Sequence, residues 1–146
     1  MNVALLSSKD MAWTTPRELF DWLNLRFGFT LDPCCVPETA LCAKFYTPED
    51  DGLSQSWRGE RVFMNPPYGR EVGQWVEKAY NEARKGAFVV GLVPARTDTA
   101  WWHNYVIGKA SILYLSGRLK FGDAKQSAPF PSVILIWWGA DTRGKL

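Results

Sequence analysis

An uninterrupted apolar segment, AFVVGLVP at residues 87–94, constrains the fold of this chain more than any other feature. A strand buried on one face alternates apolar and polar residues, so a run without alternation predicts a strand covered on both faces. Just before it, residues 70–86 place apolar side chains on one face of a helical period, and Gly86 marks the helix end. A helix followed by a doubly covered strand is typical of a parallel α/β sheet.

The rest of the chain repeats this alternation. Apolar spacing predicts a first helix in the segment of residues 14–28, with Thr15 as cap, Pro16 at the first helical position and Glu18 completing a capping box. Strands are predicted at residues 29–31, 44–46, 61–65, 111–115 and 132–138, with a small helix at 38–43 and another from Thr97 or Asp98 to about Val106. We therefore predict a single α/β domain over residues 1–146, with a mainly parallel sheet and helices on both faces.

Three predicted strands end in polar or proline-bearing sequence. These ends are Asp32-Pro33, Asn65-Pro66-Pro67-Tyr68 and Pro94-Ala95-Arg96. Ligands of α/β sheets bind beyond the carboxyl ends of the strands, so we expect the three ends to line one crevice.

The composition excludes several kinds of chemistry. His103 is the only histidine, so metal sites built on several histidines are excluded. The three cysteines form no CxxC pair, which indicates reduced thiols and no zinc ribbon. No apolar run reaches the roughly 20 residues of a membrane span, and the N-terminus lacks a signal-peptide pattern. We expect a soluble cytoplasmic protein with no metal and no membrane partner.

The segment NPPYG at residues 65–69 resembles the catalytic motif D/N/S-P-P-Y/F/W of amino-methyltransferases that use S-adenosylmethionine (SAM). Five further segments strengthen the match: WTTPRELFDWLN, FTLDPC, EDDGL, VVGLVPARTDTAWWH and GRLKFG. In this order they resemble phage-type DNA N6-adenine methyltransferases of the Dam class, from about Trp13 to Pro131. The resemblance implies a Rossmann-like enzyme that methylates N6 of a flipped adenine in double-stranded DNA. It also implies a phage or prophage gene expressed in a bacterial host.

The motif residues have a chemical rationale of their own. Adenine N6 is a weak nucleophile because its lone pair is delocalised into the ring. The side-chain oxygen of Asn65 and the carbonyl of Pro66 can accept the two amino hydrogens and so favour a more tetrahedral nitrogen. Pro66 and Pro67 fix their own φ and restrict the preceding residue, which holds both acceptors in a preset geometry. Tyr68 would offer its face to the base.

The resemblance also implies cofactor contacts. Asp32 and Pro33 stand at the first SAM-binding motif, with the Asp32 carboxylate toward the positively charged methionine end. The N-terminal motif that contacts the same end corresponds to Trp13, Thr14, Thr15 and Pro16. Asp51, with Asp50 as a near equivalent, corresponds to the residue that accepts from the adenine amine of SAM; without the resemblance, Asp51-Gly52 is a turn signal. No glycine lies between Thr30 and Asp51, so the close backbone approach of a glycine-rich loop must arise in another way.

A long polar and basic segment, GRLKFGDAKQSAPFPS at residues 117–132, is the predicted DNA-facing loop. Residues 99–140 hold four basic residues against one acidic residue, which indicates either a polyanion partner or a solvated face. Candidates for contacts to phosphates are Arg96, Arg118, Lys120 and Lys125, and Gln126 is a candidate for reading a base edge. Phe130-Pro131 is equally compatible with a packed corner.

Three other functions stay open at this point. Motifs of the NPPY type also occur in enzymes that methylate glutamine in proteins or adenine in structured RNA. A non-catalytic DNA-binding domain is the remaining alternative, although binding alone does not require the acceptor geometry of the motif. The 146 residues leave no room for a separate target-recognition domain, so we expect loops to read the DNA sequence.

Overall fold

The computed structural model describes residues 14–122 and 127–139. Its α-helices are α1 (Arg17–Phe27), α2 (Val72–Arg84) and α3 (Ala100–Tyr105). Its strands are β1 (Leu31–Asp32), β2 (Lys44–Phe45), β3 (Arg61–Met64), β4 (Phe88–Pro94), β5 (Ser111–Tyr114) and β6 (Ser132–Trp137). Two short 3-10 turns lie at Pro37–Thr39 and Gly52–Ser54. None of the helices in these ranges is long and apolar enough to cross a membrane.

The strands form one six-stranded sheet in the order β2-β1-β3-β4-β6-β5. The pairs β1–β2, β1–β3 and β3–β4 are parallel, whereas β6 runs antiparallel to both of its neighbours, β4 and β5. Five strands therefore run in one direction, and the prediction of a mainly parallel sheet is confirmed. All seven residues of β4 are buried between β3 and β6, as its unbroken apolar sequence requires.

Helices cover both faces of this sheet, as predicted. Alternate strand residues point to opposite faces. On one face, Val62, Met64 and Val89 pack in a cluster with apolar residues of α2 and α3. On the other, Phe63, Phe88 and Val90 pack with Phe20, Leu23 and Phe27 of α1.

The predicted helix at residues 38–43 is wrong, because only the 3-10 turn Pro37–Thr39 forms there. The backbone N–H of Leu41 donates to the Asp32 carboxylate at 3.1 Å, so this segment wraps around a side chain and does not build helical bonds. The first strand begins two residues later than predicted and ends one residue later. Just before this strand, the backbone N–H of Thr30 donates to the carbonyl of Arg61 at 2.7 Å.

The predicted caps of α1 and α3 are also wrong. No side chain caps α1, Pro16 is its N-cap residue, and the capping box with Glu18 does not form. Thr15 does not cap the helix, because its hydroxyl accepts a hydrogen bond from the side chain of Asn65. At α3 the cap is Thr99, whose hydroxyl accepts from the N–H of Trp102, and not Thr97 or Asp98.

Candidate active site

A cavity of about 560 Å³ lies at the carboxyl edge of the sheet, between the loops that follow β1, β2 and β3. Nine of the residues predicted from sequence line it: Thr14, Thr15, Asp32, Pro33, Asp51, Asn65, Pro66, Pro67 and Tyr68. Five others do not: Pro16, Asp50, Arg96, Arg118 and Lys120. Trp13, Lys125 and Gln126 lie outside the described residues. Two of the three predicted strand ends thus share one cavity, whereas the end at Pro94-Ala95-Arg96 does not line it.

Asn65 is held by a residue 50 positions earlier in the chain. Its side-chain Nδ2 donates to the Thr15 hydroxyl at 2.9 Å. Because Nδ2 points toward Thr15, the Asn65 oxygen Oδ1 points away from Thr15. The entry to α1 therefore sets the orientation of the first motif residue.

Tyr68 is held by its hydroxyl and by two aromatic neighbours. Its hydroxyl donates to the carbonyl of Leu92 at 3.3 Å. The rings of Phe121 and Phe130 meet it edge to face, with centroids 5.8 Å and 5.4 Å away. Burial raises the pKa of Tyr68 above its ordinary value, while Arg96 acts weakly in the opposite direction. The phenol therefore stays neutral and serves as a fixed aromatic wall of the cavity.

Asp32 is a buried carboxylate, with 4% of its surface exposed. Oδ2 accepts from the N–H of Leu41 at 3.1 Å, and Oδ1 accepts a longer bond from Cys34 at 3.4 Å. Desolvation outweighs these two bonds and raises the pKa of Asp32 from 3.8 to about 6. The charge of this carboxylate is thus poorly compensated in the protein alone, and a cationic ligand group would compensate it.

The two adjacent acidic residues after β2 have different surroundings. The carboxylate of Asp50 accepts from the backbone N–H and the hydroxyl of Thr47, at 2.9 Å and 3.1 Å, which closes the loop locally. Asp51 lines the cavity and has a left-handed backbone, with φ 55°. Its carbonyl, not its carboxylate, accepts from Ser54. Between the two, the geometry favours Asp51 as the residue that meets a ligand.

Gly52 supplies the close backbone approach that the loop after β1 lacks. A Cβ at this position would lie 2.1 Å from the carbonyl oxygen of Pro33 and 3.1 Å from the Trp75 ring. Only glycine therefore allows the loop after β2 to pack against the loop after β1. The Asp51-Gly52 pair is a turn, but a turn that joins two walls of the cavity.

Gly52→Ala is expected to weaken binding of a ligand in the cavity and to lower the melting temperature, because one of the two loops must move away. We expect a loss of roughly 1–3 kcal/mol in the free energy of unfolding, as for other overpacked sites. Thermal melts and calorimetric titration with SAM measure both effects. Gly28→Ala is the control, since Gly28 has φ +61° but no atom within 4 Å of an added Cβ. Equal SAM affinity in both variants would contradict the role assigned to Gly52.

The charge of the cavity lining is strongly one-sided. Five carboxylate residues line it: Asp32, Glu38, Glu49, Asp51 and Glu71. Among the described residues, no lysine, arginine or histidine does so. Such a lining attracts a cationic ligand and repels phosphate groups.

Basic residues lie outside the cavity, on the segments that follow β4 and β5. Arg118 and Lys120 are exposed, and Arg96 is half-buried close to Tyr68. The segment with Arg118 and Lys120 is attached to the cavity, because the N–H of Gly122 donates to the carbonyl of Thr14 at 2.7 Å. Positive charge is therefore placed beside the acidic cavity and not in it.

Four residues of the site were not identified from the sequence as such. Gly52 was read only as a turn residue, and Trp75 only as part of an amphipathic helix, yet both line the cavity. Phe121 and Phe130 reach Tyr68 from the connection between β5 and β6. Their one signal in the sequence is the presence of aromatic residues inside a long polar loop.

Two of the three cysteines are poorly suited to nucleophilic attack. Cys34, Cys35 and Cys42 are free thiols. Burial, with Asp32 nearby, raises the pKa of Cys35 well above its ordinary range and that of Cys42 to about 12. Within residues 14–122 and 127–139, no three His, Cys, Asp or Glu side chains are grouped so that they could hold a metal ion.

Known proteins resemble this chain over most of its length. A family model described as DNA N-6-adenine-methyltransferase (Dam) matches residues 3–141. A DNA N-6-adenine-methyltransferase of Escherichia phage T1 is 33% identical over 109 residues, which cover 73% of this chain and 45% of that protein. A protein with the same description from Haemophilus phage HP1 (strain HP1c1) is 29% identical over 118 residues, 79% of this chain and 68% of that protein. The chain thus spans less than half the length of the phage T1 protein.

Among solved structures, protein 1320 of Thermoplasma acidophilum aligns with 96% of this chain and 99% of its own. The TM-score is 0.43 and the sequence identity 11%, so the likeness supports no argument about function.

Proposed function

The chain belongs to the Dam family of DNA N-6-adenine-methyltransferases, and on that premise we propose that it transfers the methyl group of SAM to N6 of an adenine in double-stranded DNA. One observation carries the proposal. A single cavity brings the acceptor motif at residues 65–68 together with the acidic residues expected to hold SAM. We further infer that residues 1–146 form one domain of the Rossmann-like methyltransferase type.

The cavity suits SAM in size and in charge. Its volume of about 560 Å³ lies within the roughly 300–1,000 Å³ of small-molecule sites. SAM carries an ammonium and a sulfonium against one carboxylate, and the cavity has an acidic lining. When bound, SAM supplies a methyl group that is electrophilic because it is attached to the sulfonium. In this assignment Asp32 meets the ammonium of the methionine half, and Asp51 accepts from the adenine amine.

Asn65 and Pro66 are the proposed acceptors for the two hydrogens of the target amino group. Asn65 Oδ1 provides one acceptor, and the bond from Nδ2 to Thr15 keeps the amide from rotating. The carbonyl of Pro66 provides the other, at a buried position fixed by two prolines. Because both acceptors are in place before the reaction, little reorganisation is needed as positive charge develops on N6.

The target adenine must leave the duplex to reach this motif. Tyr68 is the proposed wall against which the flipped base stacks, a contact worth about 1–3 kcal/mol. Its bond to Leu92 and its edge contacts with Phe121 and Phe130 hold the ring in place. The same contacts link the base pocket to the segment proposed to face DNA.

The proposed transfer is direct, without a covalent protein intermediate. The Cys35 thiol beside the cavity is a poor nucleophile, because burial raises its pKa and disfavours the thiolate. His103 is exposed on α3, away from the cavity lining, where its ring nitrogen pairs with the Thr97 carbonyl. Trapping a methylated or DNA-linked form of the protein would contradict direct transfer.

DNA phosphates are proposed to contact the basic segment beside the cavity. Arg118 and Lys120 are exposed there, with Arg96 nearer the motif; Lys125 and Gln126 remain candidates from the sequence alone. Because the cavity itself is acidic, phosphates are kept at its border, where a flipped base can still enter. In this proposal, the duplex and the cofactor bind to different surfaces at the carboxyl edge of the sheet.

The double variant Arg118→Ala, Lys120→Ala is expected to bind duplex DNA more weakly and with a flatter salt dependence. Each lost phosphate contact lowers the slope of log K against log salt by about 0.9. Fluorescence anisotropy with a labelled duplex at several salt concentrations measures the slope. The control Arg58→Ala, Lys85→Ala removes the same charge near Gly86, at the opposite edge of the sheet. Equal slopes of log K against log salt for the two variants would show that the segment with Arg118 and Lys120 does not contact DNA.

Transfer of labelled methyl groups to different polymers tests the proposed substrate class. The purified protein is incubated with methyl-tritiated SAM and, in separate reactions, duplex DNA, structured RNA or protein extract. We expect label in DNA only. Label in RNA or protein would favour the rival methyltransferase functions. DNA binding without SAM binding would favour a non-catalytic domain.

Two of the similar proteins belong to phages, so the proposed setting is the cytoplasm of a bacterial host. The DNA present there is double-stranded, and SAM is the common methyl donor of such cells.

A further inference from the structure

The indole N–H of Trp75 is a buried hydrogen-bond donor in the wall of the cavity. Trp75 lies in the first turn of α2, lines the cavity, and has 7% of its surface exposed. No acceptor for its Nε1 is present among the described residues. Buried donors are almost always paired in folded proteins, so this one requires a partner beyond the residues that the structure describes.

The neighbouring tryptophan shows that the fold does pair such groups. Trp57 stacks on Trp75 with ring centroids 6.2 Å apart. Its indole N–H donates to the carbonyl of Gly52 at 3.0 Å, and its backbone N–H donates to Glu82 at 2.5 Å. Trp137, also buried in this cluster, donates to the carbonyl of Tyr105 at 2.8 Å. The stacked pair thus contains one satisfied indole and one whose N–H lacks a partner, and the latter belongs to the cavity wall.

The position of Trp75 indicates which part of a ligand it meets. Its ring packs against Gly52, with 3.1 Å between the ring and the position of an added Cβ. Gly52 directly follows Asp51, the residue proposed to accept from the adenine amine of SAM. Trp75 and Asp51 therefore lie at the same end of the cavity. An adenosine group offers both complements, since its amine donates and its ring nitrogens and ribose oxygens accept.

We propose that Trp75 is a cofactor-binding residue whose indole N–H donates to an acceptor atom of the adenosine half of SAM. This inference rests on the proposed function, because it assumes that SAM occupies the cavity. Binding of the ligand then satisfies a donor that residues 14–122 and 127–139 leave unpaired. Part of the affinity for the adenosine group comes from relieving this defect, and the residue takes no part in the methyl transfer itself.

Calorimetric titration of wild type, Trp75→Phe and Trp137→Phe with SAM, adenosine and methionine separates the possibilities. Trp75→Phe keeps an aromatic ring and removes the N–H. We expect it to raise the dissociation constants of SAM and adenosine about threefold to tenfold, the range for one hydrogen bond. Trp137→Phe also loses a buried indole N–H, but away from the cavity lining, and should leave both dissociation constants unchanged.

Two further measurements exclude a packing effect. Replacing Trp75 by benzothienylalanine keeps the bicyclic ring and exchanges the N–H for sulfur, and it should weaken binding as Trp75→Phe does. In ¹⁵N-labelled wild type, the assigned Trp75 indole proton should move downfield and exchange more slowly when adenosine is added. Titrations of wild type with the 3-deaza and 7-deaza analogues of SAM then locate the acceptor atom.

The outcomes distinguish this inference from the proposed function. If wild type binds SAM and both Trp75 variants bind it equally well, the inference is overturned and the proposed function stands. An indole proton that adenosine does not shift has the same meaning. If wild type binds neither SAM nor adenosine, both proposals are overturned.

Discussion

Asn65→Ala is expected to lower the rate of adenine methylation by about 100- to 1,000-fold, comparable to the loss of one preorganised hydrogen-bonding group at other reacting centres. The variant removes Oδ1, one of two acceptors proposed for the amino hydrogens of adenine. Pro66 and Tyr68 stay in place, so binding of SAM should change by less than about threefold. Single-turnover rates with enzyme in excess over DNA measure the chemical step, and titration with SAM measures binding.

Asn65→Asp and Thr15→Val are the matched controls for this prediction. Asn65→Asp keeps an acceptor oxygen, loses the donor that bonds Thr15 at 2.9 Å and adds a negative charge. Thr15→Val removes the hydroxyl that receives this bond and keeps the Asn65 side chain itself. Both should lose less activity than Asn65→Ala. If Asn65→Ala retained more than about a tenth of the wild-type rate, the acceptor role would be contradicted.

Asp32→Asn is expected to weaken SAM binding while leaving the unliganded fold as stable as before, or more stable. A hydrogen bond to a charged group is worth about 1.5–3 kcal/mol, which corresponds to a dissociation constant about 10- to 150-fold higher. Asparagine keeps an acceptor for the N–H of Leu41 but carries no buried charge. Calorimetric titration and thermal melts at pH 7.5 measure the two effects. A large loss of stability would indicate that Asp32 is mainly structural.

The raised pKa of Asp32 also predicts two pH dependences. The folded pKa of about 6 exceeds the ordinary value of 3.8, so ionisation of Asp32 is less favourable in the folded state. This group alone destabilises the unliganded fold as pH rises from about 4 to about 6, by at most about 3 kcal/mol, and the cost persists at higher pH. Asp32→Asn should remove this slope from the wild-type stability curve.

SAM affinity should depend on pH in the opposite direction. A cationic group near Asp32 favours the ionised carboxylate, so affinity should be constant above about pH 6 and fall as pH drops below that value. The titration is repeated between pH 5 and pH 8, a range chosen around the pKa. If the SAM affinities of wild type and Asp32→Asn fell equally as pH drops, ionisation of Asp32 would not be the cause of the pH dependence.

The architecture followed from local patterns in the sequence. The unbroken apolar run of β4 indicated a strand covered on both faces, and the amphipathic spacing of α2 indicated the layer that covers it. Proline and acidic residues at strand ends indicated the edge where the cavity lies. Each of these signals depends on neighbouring residues in the chain, and each was visible without tertiary structure.

The predictions from sequence were wrong where a residue distant in the chain takes a hydrogen-bonding group that a local cap or helix would need. Thr15 has the sequence of a helix cap, but its hydroxyl pairs with Asn65, 50 residues away. Residues 38–43 have a helical pattern, but the buried carboxylate of Asp32 takes the N–H of Leu41. The packing of Gly52 on Pro33 likewise depends on a contact between two loops. Such choices are decided by tertiary contacts, which propensity and periodicity do not encode.

The chemical identity of the methylated base tests the central proposal most directly. Unmethylated duplex DNA is incubated with the purified protein and SAM carrying a deuterated methyl group, digested to nucleosides, and analysed by mass spectrometry. We expect deuterium-labelled N6-methyldeoxyadenosine that depends on both protein and SAM. DNA without labelled N6-methyldeoxyadenosine, from a protein that binds both SAM and the duplex, would contradict the assignment of Asn65-Pro66-Pro67-Tyr68 to adenine methylation.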